Sequence, residues 1–294
     1  MSLIDLHIHT EYSMDGDKSV SYILNQCASR DITTIAVTDH NSTEAVEEAI
    51  EIAPAYGIDI IPGIEIDTVF GGTVFHLLGY FVDHKSPDFR QLCRNAEKAE
   101  LAAFPGMIEK LRELGFRISW ESVLEKAGEL RPTEEMIARL TVTNPENADH
   151  KLMLPFQGGG ERSGMPVFNF YYDYMAPGKH AFILREYIPL KEAVSLVKKN
   201  GGIPILAHPG SNLKGHEDLV SGILESGIRG FEAFSSYHDA EACRSFARLS
   251  QENDMLITCG SDFHGSLKPE IILGEHGCTL SQDEILKKLK AELI

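Results

Sequence analysis

Short apolar runs alternate with helix-like segments along most of the chain, and this alternation constrains the fold more than any other feature. The runs lie at residues 3–8, 34–38, 58–66, 73–82, 203–207, 230–234 and 255–259. Helical patterns separate most of them, as in the strand–helix units that build parallel sheets and barrels. Pro62-Gly63 is expected to break the third run. The pattern predicts an α/β fold of the barrel type.

The middle third of the chain departs from this alternation. Residues 87–179 read as mostly helical and irregular, and they end in an aromatic patch at residues 168–174. The alternation resumes after Pro189. We therefore expect a barrel formed by residues 1–86 and 185–294, interrupted by a mostly helical insertion of residues 87–184. The aromatic patch is expected to pack, with contact to a nucleobase or to a partner as the alternative.

Length and charge limit the classes of partner. The 294 residues can form a barrel and an insertion, and the net charge is −17, from 27 basic and 44 acidic side chains. Such an acidic chain lacks the basic surface of proteins that bind long duplex nucleic acid. It has no apolar run of about eighteen residues and no basic segment at its N-terminus, so we expect no membrane partner and a cytoplasmic location.

The five cysteines are odd in number, widely spaced and without a CxxC motif. They are Cys27, Cys93, Cys243, Cys259 and Cys278. This spacing argues against a disulfide framework and against a cysteine-type zinc site. We expect most of them to be buried as small apolar side chains.

Histidine and acidic residues follow or end the apolar runs. The nine candidates are His7, His9, Asp15, His40, Glu65, His76, His208, Asp262 and His264. The C-terminal strand ends of a parallel barrel meet on one face, so these side chains are expected to converge there. Imidazole and carboxylate donors suit Zn, Mn or Fe, and nine are too many for one ion. The sequence therefore predicts two or three divalent metal ions, with Glu65 as the bridging carboxylate.

Spacing supports individual members of this set. His7 and His9 lie two residues apart in a strand, so both imidazoles point to the same side. The role of Asp39 stays open between orienting a ligand imidazole and capping the following helix. The other five histidines are expected to be structural or exposed: His84, His150, His180, His216 and His276.

Taken together, the motifs resemble the PHP (polymerase and histidinol phosphatase) family. They are Asp5-Leu6-His7-Ile8-His9-Thr10, Ser13-Met14-Asp15-Gly16, Thr38-Asp39-His40, Pro62-Gly63-Ile64-Glu65, His76, Ala207-His208-Pro209-Gly210 and Gly260-Ser261-Asp262-Phe263-His264. The resemblance implies a distorted (β/α)7 TIM-like barrel with up to three metal ions. It implies one ion on His7, His9, Glu65 and Asp262, a second on Glu65, His76 and His208, and a third on Asp15, His40 and His264.

The resemblance also bears on the substrate. Asp15-Gly16 is similar to the branch of the family that acts on nucleotides. That branch carries a Gly-Arg-Pro-His-like stretch whose arginine meets a substrate phosphate; here only the arginine and proline of Leu130-Arg131-Pro132-Thr133 match. The candidate substrate-binding residues are Arg131, Lys179, Arg185 and His238.

These expectations describe a metal-dependent hydrolase of phosphate esters acting on nucleotides or short oligonucleotides. A hydroxide bridging two metals would be the nucleophile. Asp262, Glu65 and His238 are the expected catalytic residues, and the leaving-group proton would come from His238 or from a metal-held water. Two alternatives stand: a C–N hydrolase of the amidohydrolase type, which also has HxH after its first strand, and a non-catalytic PHP module.

Overall fold

The computed structural model describes residues 3–128 and 132–293. The chain forms two compact units. The first comprises Met1–Arg94 and Tyr187–Ile294, and the second comprises Asn95–Glu186.

The first unit contains one mixed sheet. Its strands are Ile4–Ile8 (β1), Thr34–Val37 (β2), Asp59–Phe70 (β3), Thr73–Tyr80 (β4), Ile188–Pro189 (β5), Ile203–Leu206 (β6), Gly230–Ser235 (β7) and Leu256–Gly260 (β8). The strand order is β1-β2-β3-β4-β6-β7-β8, and β5 pairs with β3. The N–H of His9 donates to the carbonyl of Phe263 at 2.9 Å, so the first strand meets the segment that follows the last one. The sheet is therefore nearly closed, as expected for a distorted barrel.

The distortion lies at β4. This strand runs antiparallel to both β3 and β6, whereas the other strand pairs are parallel. Gly71 and Gly72 make the turn between β3 and β4 with φ of 58° and 81°, a region that favours glycine. The parallel sheet that the strand–helix units suggest does not extend to this strand, and His76 lies inside β4, opposite Asp67.

The expected break of the third strand at Pro62-Gly63 is also wrong, because β3 continues to Phe70. A Cβ at residue 63 would lie 2.7 Å from the carbonyl oxygen of Val37. The glycine thus lets β3 pass close to β2 without a turn. Glu65 consequently lies within a strand rather than at its end.

Helices lie between many of the strands in chain order, and those within residues 95–186 belong to the second unit. The helices are Val20–Ala28 (α1), Glu44–Ile52 (α2), Pro87–Glu113 (α3), Trp120–Ala127 (α4), Glu134–Thr143 (α5), Pro166–Tyr174 (α6), Leu190–Lys199 (α7), Pro209–Asn212 (α8), Val220–Glu225 (α9), Ala240–Glu252 (α10) and Gln282–Ala291 (α11). In α7 the buried residues Leu190, Ala193, Val194 and Val197 follow helical spacing and join the core beside β3, β4 and β6. Among the described helices, none combines the length and the apolar composition that crossing a membrane requires.

The second unit is helical and has its own apolar core. Phe104, Phe116 and Phe170 are fully or almost fully buried there. The ring of Phe170 lies 4.9 Å from that of Tyr174 and 5.1 Å from that of Phe116. Most of the aromatic patch therefore packs, whereas Tyr172 is 54% exposed.

Candidate metal centre

The first group of candidate ligands surrounds Asp262. The Nε2 atoms of His7 and His9 both lie 3.0 Å from Asp262 Oδ1, and both lie 3.1 Å from Glu65 Oε2. All four side chains are buried. His7 lies in β1 and His9 directly follows that strand, and residues two apart in extended backbone point to the same side, so both imidazoles face the two acids.

Glu65 joins this group to a second one. Its other oxygen, Oε1, lies 3.1 Å from His76 Nδ1 and 3.2 Å from His208 Nε2. Glu65 is fully buried, so each of its oxygens faces imidazole nitrogen rather than solvent. One carboxylate thus lies between two sets of nitrogen donors.

Asp15 organises the third group. Its Oδ2 lies 2.9 Å from His264 Nε2 and 3.5 Å from His40 Nε2. The donor atoms of these three residues and of His9 lie within 4.8 Å of one another. The structure therefore brings the donor atoms of all nine sequence-predicted residues close together, and their role as metal ligands stays a prediction.

The donor set fits divalent cations. Within the described part of the chain, His7 Nε2 and Glu65 Oε2 are buried and lie 3.1 Å apart without hydrogen-bonding geometry. Buried polar atoms in close contact without a hydrogen bond call for an explanation, and an ion held by imidazole and carboxylate supplies one. The groups are also packed too closely for this many carboxylates and imidazoles to be stable as isolated charges.

Electrostatics keeps the acids ionised. Burial disfavours the charged form of Glu65, but the neighbouring histidines, His7 foremost, hold the pKa of its carboxyl well below the ordinary value. For Asp262, burial is likewise outweighed by nearby charge, that of Lys268 first, and the pKa falls well below its usual range. Burial lowers the pKa of His264 to about 4, which leaves its imidazole neutral and able to donate a lone pair.

Two acidic residues that sequence reasoning missed hold the histidines in place. Asp67 Oδ1 lies 2.8 Å from His40 Nδ1, and the Asp67 carboxylate also accepts from the side chain of Asn41. Glu232 contacts His7 Nδ1 at 3.0 Å and accepts the backbone N–H of His208 at 2.8 Å. Such partners fix the orientation of ligating imidazoles.

A sequence signal existed for both residues. Asp67 is two positions from Glu65 in the same strand, and Glu232 is the one acid inside the apolar run that became β7. A carboxylate in a buried strand requires a partner, which makes each of them a candidate for the site.

Asp39 takes neither of the two roles left open by the sequence. Its carboxylate accepts from the backbone N–H of Thr10 at 2.6 Å and from the Thr10 hydroxyl at 2.8 Å. Thr43 is the residue that precedes α2. Asp39 therefore fixes the segment that follows β1, and burial raises its pKa to about 6.

A lysine that the sequence did not single out lies at the edge of the centre. Lys268 Nζ is 3.4 Å from Asp262 Oδ2, 3.2 Å from His264 Nε2 and 2.8 Å from the hydroxyl of Tyr237. Its side chain is 25% exposed, so the Lys268 ammonium contacts Asp262 on one side and lies near solvent on the other.

His238 has both ring nitrogens bonded to backbone. Nδ1 donates to the carbonyl of Ala233 at 3.0 Å, and Nε2 accepts the N–H of Gly210 at 2.9 Å. Burial lowers the pKa of His238, in keeping with a neutral ring. His238 thus holds Gly210, two residues after His208, against the end of β7.

The remaining predicted substrate contacts belong to the second unit. Arg185 pairs with Glu134 and lies 4.0 Å from Glu100, so its charge faces two carboxylates. Lys179 is exposed in a turn. Arg131 lies outside the described residues.

The chain is similar in sequence to several known proteins. Residues 5–130 match the family model described as the PHP domain. A phosphoribosyl 1,2-cyclic phosphate 1,2-diphosphodiesterase of Eggerthella lenta is 27% identical, over 89% of this chain and 94% of its own. A 3′,5′-nucleoside bisphosphate phosphatase of Chromobacterium violaceum is 26% identical, over 90% of this chain and 88% of its own. The 5′-3′ exoribonuclease Rnm of Escherichia coli is 26% identical, over 89% and 85%.

Solved structures share the fold. A protein of Bifidobacterium adolescentis, described as a metal-dependent phosphoesterase, superposes with a TM-score of 0.75 at 24% identity and covers 98% of this chain and 95% of its own. A protein of Chromobacterium violaceum, described as an amidohydrolase, gives 0.68 at 23% identity, over 99% and 96%. Residues 5–130 are therefore similar to a PHP domain, and most of the chain is similar to proteins named as a phosphodiesterase, a phosphatase and an exoribonuclease.

Proposed function

We propose that the protein hydrolyses phosphate esters of nucleotides or short oligonucleotides. The observation that carries this proposal is Glu65, which lies between two groups of imidazoles within hydrogen-bond distance. The named relatives support the substrate class, since they act on a cyclic phosphoribosyl phosphate, a nucleoside bisphosphate and RNA. The acidic net charge of −17 favours small substrates over long duplexes.

Two or three divalent ions, Mn, Fe or Zn, would be held by the three groups described above. When bound, such ions neutralise phosphoryl charge and activate water as a nucleophile near neutral pH. Glu65 would be shared between two of the groups, and the ionised state of Glu65 and Asp262 prepares both to bind. Glu232 and Asp67 would keep the imidazoles of His7 and His40 turned toward the ions.

Lys268 is our candidate for direct contact with the substrate phosphate. The ammonium is already positioned by the hydroxyl of Tyr237 and lies at the solvent-facing side of Asp262. A cation at this position can donate to a non-bridging phosphoryl oxygen and offset charge that develops as the ester bond breaks.

His238, in contrast, is proposed as a positioning residue rather than as the general acid. Both of its ring nitrogens are engaged with backbone, so protonating a leaving group would first break one of these bonds. Its bond to Gly210 instead holds the turn after His208 in place.

We propose that the insertion, residues 87–184, selects the leaving group. Lys179 and the exposed ring of Tyr172 offer a charge and a stacking surface. Arg185 would have to exchange its carboxylate partners for a phosphate. Arg131 stays a prediction from the motif resemblance alone.

The test is a substrate panel assayed with Mn²⁺: a nucleoside 3′,5′-bisphosphate, a nucleoside monophosphate, a short 5′-phosphorylated oligoribonucleotide and an acyl amide. We expect phosphate or nucleotide release from a phosphoester, abolished in Asp262→Ala and retained in Asp283→Ala, an exposed acid on α11. Turnover of the amide without turnover of any phosphoester would contradict the proposal and favour the amidohydrolase alternative. Metal binding without turnover of any substrate would favour the non-catalytic module.

A further inference from the structure

A second cluster of potential ligands lies at the end of β8 and shares no residue with the candidate metal centre. It consists of Cys259 on β8 and of His276 and Cys278 in the loop that leads to α11. One donor atom from each residue lies within 4.8 Å of the other two. In a tetrahedral zinc site with Zn–S bonds of about 2.3 Å, two sulfurs lie roughly 3.8 Å apart, so small side-chain movements complete such a geometry.

The imidazole is oriented as a ligand would be. His276 is buried, and its Nε2–H donates to the carbonyl of Ile4 at 3.0 Å. This bond places the lone pair on Nδ1, where the present contact is a long one, 3.3 Å from the N–H of Cys278. Histidines that ligate metals characteristically donate their other ring N–H to a backbone carbonyl in this way.

The two thiols face each other at different depths. Cys259 is fully buried, whereas Cys278 is partly exposed, and both are free of disulfide bonds. An ion can therefore reach the cluster from the side of Cys278, because that side chain is partly exposed to solvent.

A buried acid also lies near the cluster. The side chain of Asp5 is fully buried and accepts the N–H groups of Ser261 and Gly274, each at 2.8 Å. A divalent ion would offset the negative charge of two thiolates in this buried region.

We propose that Cys259, His276 and Cys278 bind a thiophilic divalent ion such as Zn²⁺, with the fourth position open to solvent beside Cys278. Three protein ligands with one open position is an established arrangement for zinc. The ion would tie the loop before α11 to β8, and through the His276 bond to the first residue of β1.

Cadmium distinguishes this site from the candidate metal centre, because a sulfur-to-metal charge-transfer band in the ultraviolet requires thiolate ligands. Among the described residues, the candidate metal centre offers nitrogen and oxygen donors only. We expect the reduced, folded protein to develop the band on titration with Cd²⁺. Cys278→Ser should lose at least half of its intensity, and Cys93→Ser, a matched change of another partly exposed cysteine, should keep it whole.

His276→Gln adds a readout that does not remove sulfur. It should weaken Cd²⁺ binding, moving the titration to higher concentration by tenfold or more, while the band at saturation persists. The first test uses the natural chain alone, which must show the band. The proposal can therefore be tested even if a variant fails to fold. Absence of the band in the natural protein at excess Cd²⁺, or a band unchanged by Cys278→Ser, would overturn the proposal.

Discussion

Glu65 shows how one residue can organise a whole site. Its two oxygens lie within 3.3 Å of nitrogens from five histidines, which come from four segments of the chain. Burying five imidazoles around one carboxylate costs free energy, because each buried ring nitrogen needs a hydrogen-bond partner and one carboxylate cannot serve them all. The arrangement is explained when the nitrogens and the carboxylate share bound cations.

The buried acid Glu232 should matter although it is not a candidate ligand. Glu232→Gln keeps the shape of the side chain but removes the charge that orients His7 and supports the His208 backbone. We expect a loss of roughly 10- to 100-fold in metal affinity or activity. Activity is measured while metal is titrated into the metal-free protein, which gives both the metal affinity and the activity. The control is Glu252→Gln, a change of an exposed residue on α10. Unchanged metal affinity and activity would show that His7 and His208 hold their orientation without Glu232.

Lys268→Met should separate substrate contact from metal binding. A hydrogen bond to a charged group contributes about 1.5–3 kcal/mol, so kcat/KM for a phosphate ester should fall roughly 10- to 100-fold. Metal content by elemental analysis should stay the same, and Lys268→Arg should restore part of the activity. The matched control is Lys287→Ala on α11. Full activity in Lys268→Met would remove the lysine from the proposed substrate contacts.

Asp67 makes the stability of the metal-free protein depend on pH. Burial is outweighed by the His40 imidazole, and the pKa of Asp67 falls to about 2. A depressed carboxyl pKa stabilises the fold above the unfolded value of about 3.9, and this contribution is lost as pH falls toward 2. Urea unfolding should therefore show a deficit for Asp67→Asn near neutral pH that shrinks below about pH 4. A deficit independent of pH would instead indicate lost packing.

At the level of elements, the antiparallel β4 is what brings His76 to Glu65. The apolar run that forms this strand was predicted, because alternating or continuous apolar residues indicate a strand. Its direction was not, since a strand pattern reads the same in either direction and only the Gly71-Gly72 turn hinted at a hairpin. The mistaken break at Pro62-Gly63 has a related cause: glycine marks turns and close approaches alike.

Gly63→Ala tests the close approach of β3 to β2. The added Cβ would lie 2.7 Å from Val37 O and 2.8 Å from Thr38 Cγ2, so the strands must move apart. We expect a loss of about 1–3 kcal/mol in the free energy of unfolding, which is typical of overpacking. Gly158→Ala, where a Cβ meets nothing within 4 Å, is the control. Equal stability of the two variants would show that β3 has room beside β2.

For the whole molecule, the sequence predicted the distorted barrel and the clustering of nine histidine, aspartate and glutamate side chains, because both depend on local patterns along the strands. It missed Asp67, Glu232 and Lys268, whose roles depend on which strands become neighbours. It also argued against a cysteine-type metal site, because Cys259 and Cys278 are distant in sequence and meet only through the fold. The sequence singled out His238 as a candidate, but it could not show that both ring nitrogens bond to the backbone. Those hydrogen bonds are the reason that we propose a positioning role for His238.

Removal and return of metal tests the central claim most directly. The protein is stripped with a chelator, its metal content is measured, and phosphate release from a nucleotide is followed before and after Mn²⁺ is restored. The account predicts that activity disappears with the metal and returns with it in the natural chain, and that it does not return in Asp262→Ala. Phosphate release that persists in fully metal-free protein would contradict it.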